Sequence, residues 1–308
     1  MIRKFPVEQK VFEIGGVKFG GQPGEYPPVL IGSIFFKGHK VVFDPKKGLF
    51  DKAKAKKLIE NQEKYSNETG CPHAIDVIAE TPEAMKNYLS FIFEITDAPI
   101  LVDSPNFNTI IEGCKFAIEI GEKDRIIYNS LGPRIKDEEL KGIQELGVDA
   151  AVLLALNTSN PFPDGTLKIL EETLLPAVTK AGITKPLIDT PILDFFTTSF
   201  AMEAIDKVKG KLGLPCGCAP CNASFISRKI WPFKRGSFRT FHTAIITAIQ
   251  LAGANFIIYG PIRYAPYVFP ACAAIESLIS YGLKFEGVKI KTNIHPLKIF
   301  IQKLRKTI

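Results

Sequence analysis

From Val29 onward the chain alternates two patterns, a short apolar run and then a longer stretch in which apolar residues return every three or four positions. The first pattern predicts a buried strand, the second an amphipathic helix. The pair recurs eight times. Strands are predicted at Val29 to Phe35, Ala74 to Ala79, Pro99 to Ser104, Arg125 to Ser130, Ala150 to Asn157, Lys185 to Asp189, Leu214 to Cys218 and Asn255 to Gly260. The helices after them include Asp51 to Thr69, one opening at Thr81-Pro82, Asp137 to Leu146, Thr198 to Leu212, Ser237 to Ala252 and Val268 to Tyr281. Others close at Gly121 and near Ala181-Gly182. Thr81 before Pro82 is a strong start signal, because proline has no N–H to leave unsatisfied at the first helical position. Strands that are apolar on both faces belong in a parallel sheet covered by helices. Eight such units close into a barrel more readily than they extend an open sheet. The expected fold class is α/β, a (β/α)8 TIM barrel spanning residues 29–285.

Two segments lie outside the eight units. Val11 to Ile14 and Val17 to Gly20 flank Gly15-Gly16, a two-residue turn that suits a hairpin, so residues 1–28 are expected to cap the bottom of the barrel. Residues 286–308 form a tail rich in Lys and Ile, either docked or frayed.

Composition adds limits rather than a function. Hydrophobic residues make up 46% of the 308 and charged residues 23%, enough apolar material for a full core and no case for disorder. There is no apolar run of about 18 residues, and Met1 to Pro6 lacks the apolar stretch of a signal peptide. A cytoplasmic location is expected, with the six cysteines reduced. The net charge of +7 is spread over predicted helices. No nucleic-acid partner is implied, whereas an acidic substrate or partner is compatible.

The informative polar residues stand where the strands end. Asp103, Asn129, Asn157 and Asp189 close strands three to six, Asn222 follows strand seven, and Asp76 and Glu80 lie at strand two. A barrel enzyme keeps its chemistry at this end, where the βα loops open. One such residue alone reads as a helix cap or turn. Five at equivalent positions, with no Glu, Lys or His among them, suit a flat heterocycle that offers both donors and acceptors. His39, His73, His242 and His295 form no metal pair at helical spacing, and no phosphate-cradling or dinucleotide-binding glycine motif is present. Cys216, Cys218 and Cys221 at the end of strand seven leave a second reading open, in which three thiolates bind zinc and activate a thiol.

Several longer strings resemble the H subunit of tetrahydromethanopterin S-methyltransferase and its relatives, the methyltetrahydropterin and methyltetrahydrofolate:corrinoid methyltransferases of the pterin-binding barrel superfamily. They are Ile14-Gly15-Gly16-Val17 with Gly20 to Glu25, Ala79 to Ala84, Asp97-Ala98-Pro99 leading to Asp103-Ser104, Ile127 to Ser130, Gly182 to Asp189, and Tyr259 to Ile262. The similarity covers nearly the whole chain. It implies that Asp103, Asn129 and Asp189 hold a pterin ring and that Asn222 sits by the methyl-bearing N5. Asn157 joins them as a binding candidate on its strand-end position alone. Around strand seven the chain departs from the family, with Cys216-Gly217-Cys218-Ala219-Pro220-Cys221-Asn222 in place of a glycine-rich run.

The resemblance implies methyl transfer between N5 of tetrahydromethanopterin or tetrahydrofolate and the cobalt of a corrinoid, with no metal bound by the chain itself. No Asp-x-His-x-x-Gly stretch is present, so the corrinoid is expected on a partner protein. Asn222 is the candidate catalytic group, an amide oxygen that stabilises positive charge developing at N5. A homodimer is expected, and a tie to the membrane through partner subunits is compatible; a barrel retained as a non-catalytic subunit of a membrane methyltransferase complex is the remaining alternative. Arg228, Lys229, Lys234, Arg235 and Arg239 surround Trp231 after strand seven, where a landing loop for an acidic corrinoid protein or an anionic pterin tail is expected.

Overall fold

The computed structural model describes residues 3–230 and 234–307. It opens with an antiparallel hairpin, β1 (Val11–Ile14) and β2 (Val17–Gly20), in which Ile14 faces Val17 across Gly15 and Gly16. Strand β3 (Val29–Ile34) is followed by a small antiparallel pair, β4 (Val42–Asp44) and β5 (Leu49–Phe50), that the hydrophobic pattern does not announce, and then by α1 (Lys52–Thr69). Four more units follow: β6 (His73–Ile78) and α2 (Pro82–Phe93), β7 (Ile100–Asp103) and α3 (Phe107–Glu119), β8 (Ile126–Leu131) and α4 (Asp137–Leu146), then β9 (Ala150–Leu154) with α5 (Pro163–Ile169) and α6 (Leu175–Lys180). The last three are β10 (Lys185–Asp189) and α7 (Thr198–Lys211), β11 (Cys216–Cys218) with α8 (Cys221–Ile230) and α9 (Arg235–Leu251), and β12 (Phe256–Pro261) with α10 (Ala265–Leu283). The tail folds as α11 (Pro296–Thr307).

Strands β3 and β6 to β12 close into a barrel in sequence order, every neighbouring pair parallel. Helix ends follow local chemistry. Asp51 accepts from the Lys54 N–H at 3.0 Å, Thr81 from the Ala84 N–H at 3.1 Å, and Gly70 takes the left-handed cap at φ 76°. Between α5 and α6, residues Leu170–Leu174 form a wider π turn. Pro176 has no N–H for the carbonyl of Glu172, and a loosened turn accommodates that loss.

Alternation along the strands sorts the core into two layers. Val29, Ile31, Ala74, Leu101, Ile127, Val152, Leu187, Phe256 and Ile258 fill the lumen, together with Ile14 and Phe19 of the hairpin. Leu30, Ile75, Val102, Tyr128, Leu153, Ile188 and Ile257 face the helices. The hairpin therefore closes the bottom of the barrel. It is held there by Lys209, which is fully buried and donates to Gly21 O (3.0 Å) and Asn255 Oδ1 (2.5 Å) with its ammonium over the Phe5 ring. Residues 262–286, which include α10, form a stretch long and apolar enough to cross a membrane, yet α10 is the eighth barrel helix, packed against α1 and α9.

Candidate active site

The same alternation decides what points into the open end. Since Ile31, Ala74, Leu101, Ile127 and Leu187 face the lumen, so do Ser33, Asp76, Asp103, Asn129 and Asp189 two residues later. Register sets Ser33 beside Asp76 and Asp103 beside Asn129. Asp76 gathers these groups: Ser33 Oγ donates to its Oδ2 at 2.7 Å and Asn129 Nδ2 to its Oδ1 at 3.3 Å. It is also hydrogen-bonded to Asp103.

Two neighbouring buried carboxyls cannot both ionise cheaply. Burial, with the charge of Asp76 added to it, raises Asp103 well above the carboxylate range, so Asp103 holds the shared proton and donates it to Asp76. Burial pushes Asp76 up to about 6, against the opposing help of the Ser33 hydroxyl and the Asn129 amide. Asp189 is pushed up to about 8 by burial. Its Oδ1 is buried without a hydrogen-bond partner, an arrangement that costs about 1–3 kcal/mol and that a ligand N–H would relieve.

Asn222 stands at the start of α8, exposed on the rim, its N–H bonded to Ala219 O. The Cys221 thiol, pushed up to about 12 by burial and so protonated, lies 3.9 Å from Asn222 Oδ1. A cavity of about 710 Å³ runs from Ser33 and Gly260 past Ile192, Asn222 and Phe225 to Arg228, Lys229 and Arg263. Gly260 lets α8 come this close: its φ is +84°, and a Cβ there would meet Cys221 Cβ at 2.6 Å. The volume suits a fused bicyclic ring with a substituent.

Of the residues expected from sequence, Asp103, Asn129 and Asp189 come together and Asn222 stands at the rim above them. Asn157 does not join them. Strand β9 stops at Leu154, and the Asn157 side chain organises a turn, donating to Gly165 O and accepting from the N–H groups of Ser159 and Asn160, each at 3.1 Å. Both acceptor positions of its oxygen are taken, and it stands in the loop after β9 rather than on the strand. Asp76 is a site residue that the strand-end rule misses, because two residues of its strand follow it. Its sequence signal is parity, a polar residue at the inward position after Ala74.

The three cysteines do not assemble as the zinc reading requires. Cys216 and Cys218 belong to the outward layer under the helices, and Cys221 sits on α8. No three His, Cys, Asp or Glu side chains among the described residues are arranged to hold a metal. The expected landing loop is mostly helical, built from α8 and α9. Arg228 stacks on Phe238 and Arg239 on Tyr267, while Trp231 lies outside the described residues.

A family model described as the tetrahydromethanopterin S-methyltransferase MtrH subunit matches residues 7–291. The H subunit of tetrahydromethanopterin S-methyltransferase from Methanothermobacter thermautotrophicus is 37% identical over 297 residues, covering 93% of this chain and 96% of its own. The protein of the same name from Methanopyrus kandleri is 36% identical over 313 residues, covering 95% and 97%. Among solved structures, a Yersinia pestis dihydropteroate synthase with a sulfonamide drug complex superimposes with TM-score 0.64 at 12% identity, over 88% of this chain and all of that one. Xanthomonas albilineans dihydropteroate synthase in complex with 7,8-dihydropteroate gives 0.60 at 13% identity, over 87% and 98%. These structural likenesses concern the fold.

Proposed function

We propose, on the premise that this chain belongs to the tetrahydromethanopterin S-methyltransferase MtrH subunit family, that it moves a methyl group between N5 of a tetrahydropterin and the cobalt of a corrinoid carried by a partner protein. The observation that carries the reading is the polar floor of the barrel mouth, where Asp76, Asp103, Asn129 and Asp189 converge and Asp189 keeps a buried acceptor without a partner. A pterin ring carries its amino group and a ring N–H on one edge. Asp189 and the free oxygen of protonated Asp103 are acceptors suited to that edge, and the Asn129 amide can both donate and accept. A metal ion is not needed to explain any of these positions.

Breaking the bond from N5 to the methyl carbon would expel an unstable nitrogen anion unless N5 gains a proton as the methyl leaves. The corrinoid, when docked, supplies the cobalt nucleophile that takes the methyl carbon. Asn222 Oδ1 at the rim lies on the side from which that attack must come, and its role is to stabilise the positive charge at N5 without titrating. The Cys221 thiol beside Asn222 Oδ1 helps to hold the amide with its oxygen in a fixed direction.

Anaerobic calorimetry with methyltetrahydromethanopterin and methyltetrahydrofolate tests the reading. Binding of at least one, weakened in Asp189→Ala, is the expected result. Failure of both to bind the folded protein would remove the pterin from the site.

A further inference from the structure

Helix α11 lies beyond residue 291, where the family match stops, and it is pinned at its start. His295 is fully buried. Its Nδ1 accepts from the Leu297 N–H at 3.2 Å, and its Nε2 is 3.3 Å from Ser280 Oγ and 3.4 Å from Glu276 Oε1 on α10. Pro296 and Ile299 bear on the end of α1, so tightly that a Cβ on Gly70 would meet Ile299 Cδ1 at 2.8 Å.

The rest of the helix turns an apolar stripe outward. Leu297, Phe300, Ile301 and Leu304 fall at the i, i+3, i+4, i+7 spacing of one helical face, with Phe300 62% and Leu304 49% exposed. Leu278 and Tyr281 of α10 and the nearby Phe285 are also exposed, and Leu278 and Phe300 line a common groove of about 400 Å³. The charged positions of α11 are Lys298, Lys303, Arg305 and Lys306, with no carboxylate among them. Glu68, on the opposite wall of the groove, lies 3.9 Å from Lys64.

We propose that α11 and the outer face of α10 rest directly on an anionic lipid surface, with Phe300, Ile301 and Leu304 at the acyl boundary and Arg305 and Lys306 among the headgroups. An exposed amphipathic helix whose polar face carries only cations has the chemistry of an interfacial anchor. A second copy of the chain is the rival occupant. A two-fold contact of α11 with its copy, however, would bring together two helices whose charged positions are all cationic, which like-charge repulsion opposes.

Flotation of the full chain with vesicles decides it, using phosphatidylcholine alone and phosphatidylcholine with about one-third phosphatidylglycerol. The chain should float with the anionic vesicles at low salt, stay behind with the neutral ones, and detach as salt rises. Arg305→Glu with Lys306→Glu should weaken anionic-vesicle binding by at least about 25-fold, from about fivefold per cation removed. Phe300→Ser with Leu304→Ser should also weaken it, and because these side chains are exposed both variants should keep the wild-type thermal unfolding. A wild-type chain that stays in solution with anionic vesicles at low salt would overturn the proposal. So would flotation equal in all three proteins. A serine variant that loses oligomeric mass in light scattering, with lipid binding unchanged, would give this face to a second copy instead.

Discussion

Asp76 and Asp103, inward-facing on adjacent strands, share one proton beneath the barrel mouth, with Ser33 and Asn129 donating to Asp76 from either side. The pair makes Asp103 a neutral group and Asp76 the charged one, so Asp76 governs how Asp103 presents itself. Asp76→Asn should remove the charge that adds to burial in raising Asp103, so Asp103 should ionise at lower pH than in wild type while burial still holds it above the carboxylate range. The Asp103 inflection in the pH profile of pterin affinity, measured by calorimetry, should then move to lower pH. An unchanged profile in a folded variant would disconnect the two residues.

Asp189→Ala should weaken pterin binding by about 1.5–3 kcal/mol, the range for a hydrogen bond to a charged group, and Asp103→Ala, which removes a neutral acceptor, by about 0.5–1.5 kcal/mol. Titration calorimetry of each folded variant gives the number. Affinity within error of wild type would take that residue out of the site.

Asp189 makes apo stability and pterin affinity move in opposite directions with pH. Its folded pKa of about 8 lies above the usual 3.8, so the folded state holds the extra proton between those values. The contribution to stability is complete below about pH 4 and is lost as pH rises through about 8. Asp189→Asn should therefore gain stability over wild type as pH rises toward about 8.5, with no gain near pH 4, by urea unfolding. Pterin affinity should rise over the same interval, by up to about tenfold per pH unit, because the ring N–H asks for the ionised form. A difference between wild type and Asp189→Asn that does not vary with pH would contradict the assignment.

Asn222→Ala should slow methyl transfer more than it weakens binding, because the charge it meets develops in the transition state. Single-turnover kinetics at saturating pterin separates the two. Weaker binding with an intact rate would leave Asn222 as a positioning residue.

Lys234→Glu should slow association with a corrinoid protein by about threefold at low ionic strength, and much less at high salt. Free pterin should bind almost as before. Stopped-flow across a salt series reads this, and a slope matching wild type would remove the basic rim from docking.

The repeating apolar runs make the barrel legible, because strands buried on both faces leave little other interpretation. Asp103 and Asp189 are legible because each ends its strand at an inward position. Asp76 is obscured because Val77 and Ile78 follow it, so the end of the strand is the wrong guide and side-chain parity the right one. Asn157 falls beyond its strand for the converse reason. Ala155 and Leu156 extend the apolar run after β9 has left the barrel, so the run overshoots the strand. Helix α8 escapes because its buried face is Ala223, Ser224 and Ser227 while Ile226 and Ile230 are exposed, so its apolar positions do not mark the inward face. Its existence depends on Gly260 giving it room, a tertiary fact.

The hairpin floor makes this barrel a cup rather than a tube. Ile14 and Phe19 fill its base and Lys209 rivets the loop that follows the hairpin, so for the proposed reaction the mouth would be both the doorway for pterin and the landing place for the methyl acceptor. Traffic through a cup is last in, first out. The pterin has to be seated before the partner arrives and cannot depart until the partner has left, so excess partner should act as a stopper, holding spent pterin inside and slowing turnover at concentrations where a tube would show simple saturation.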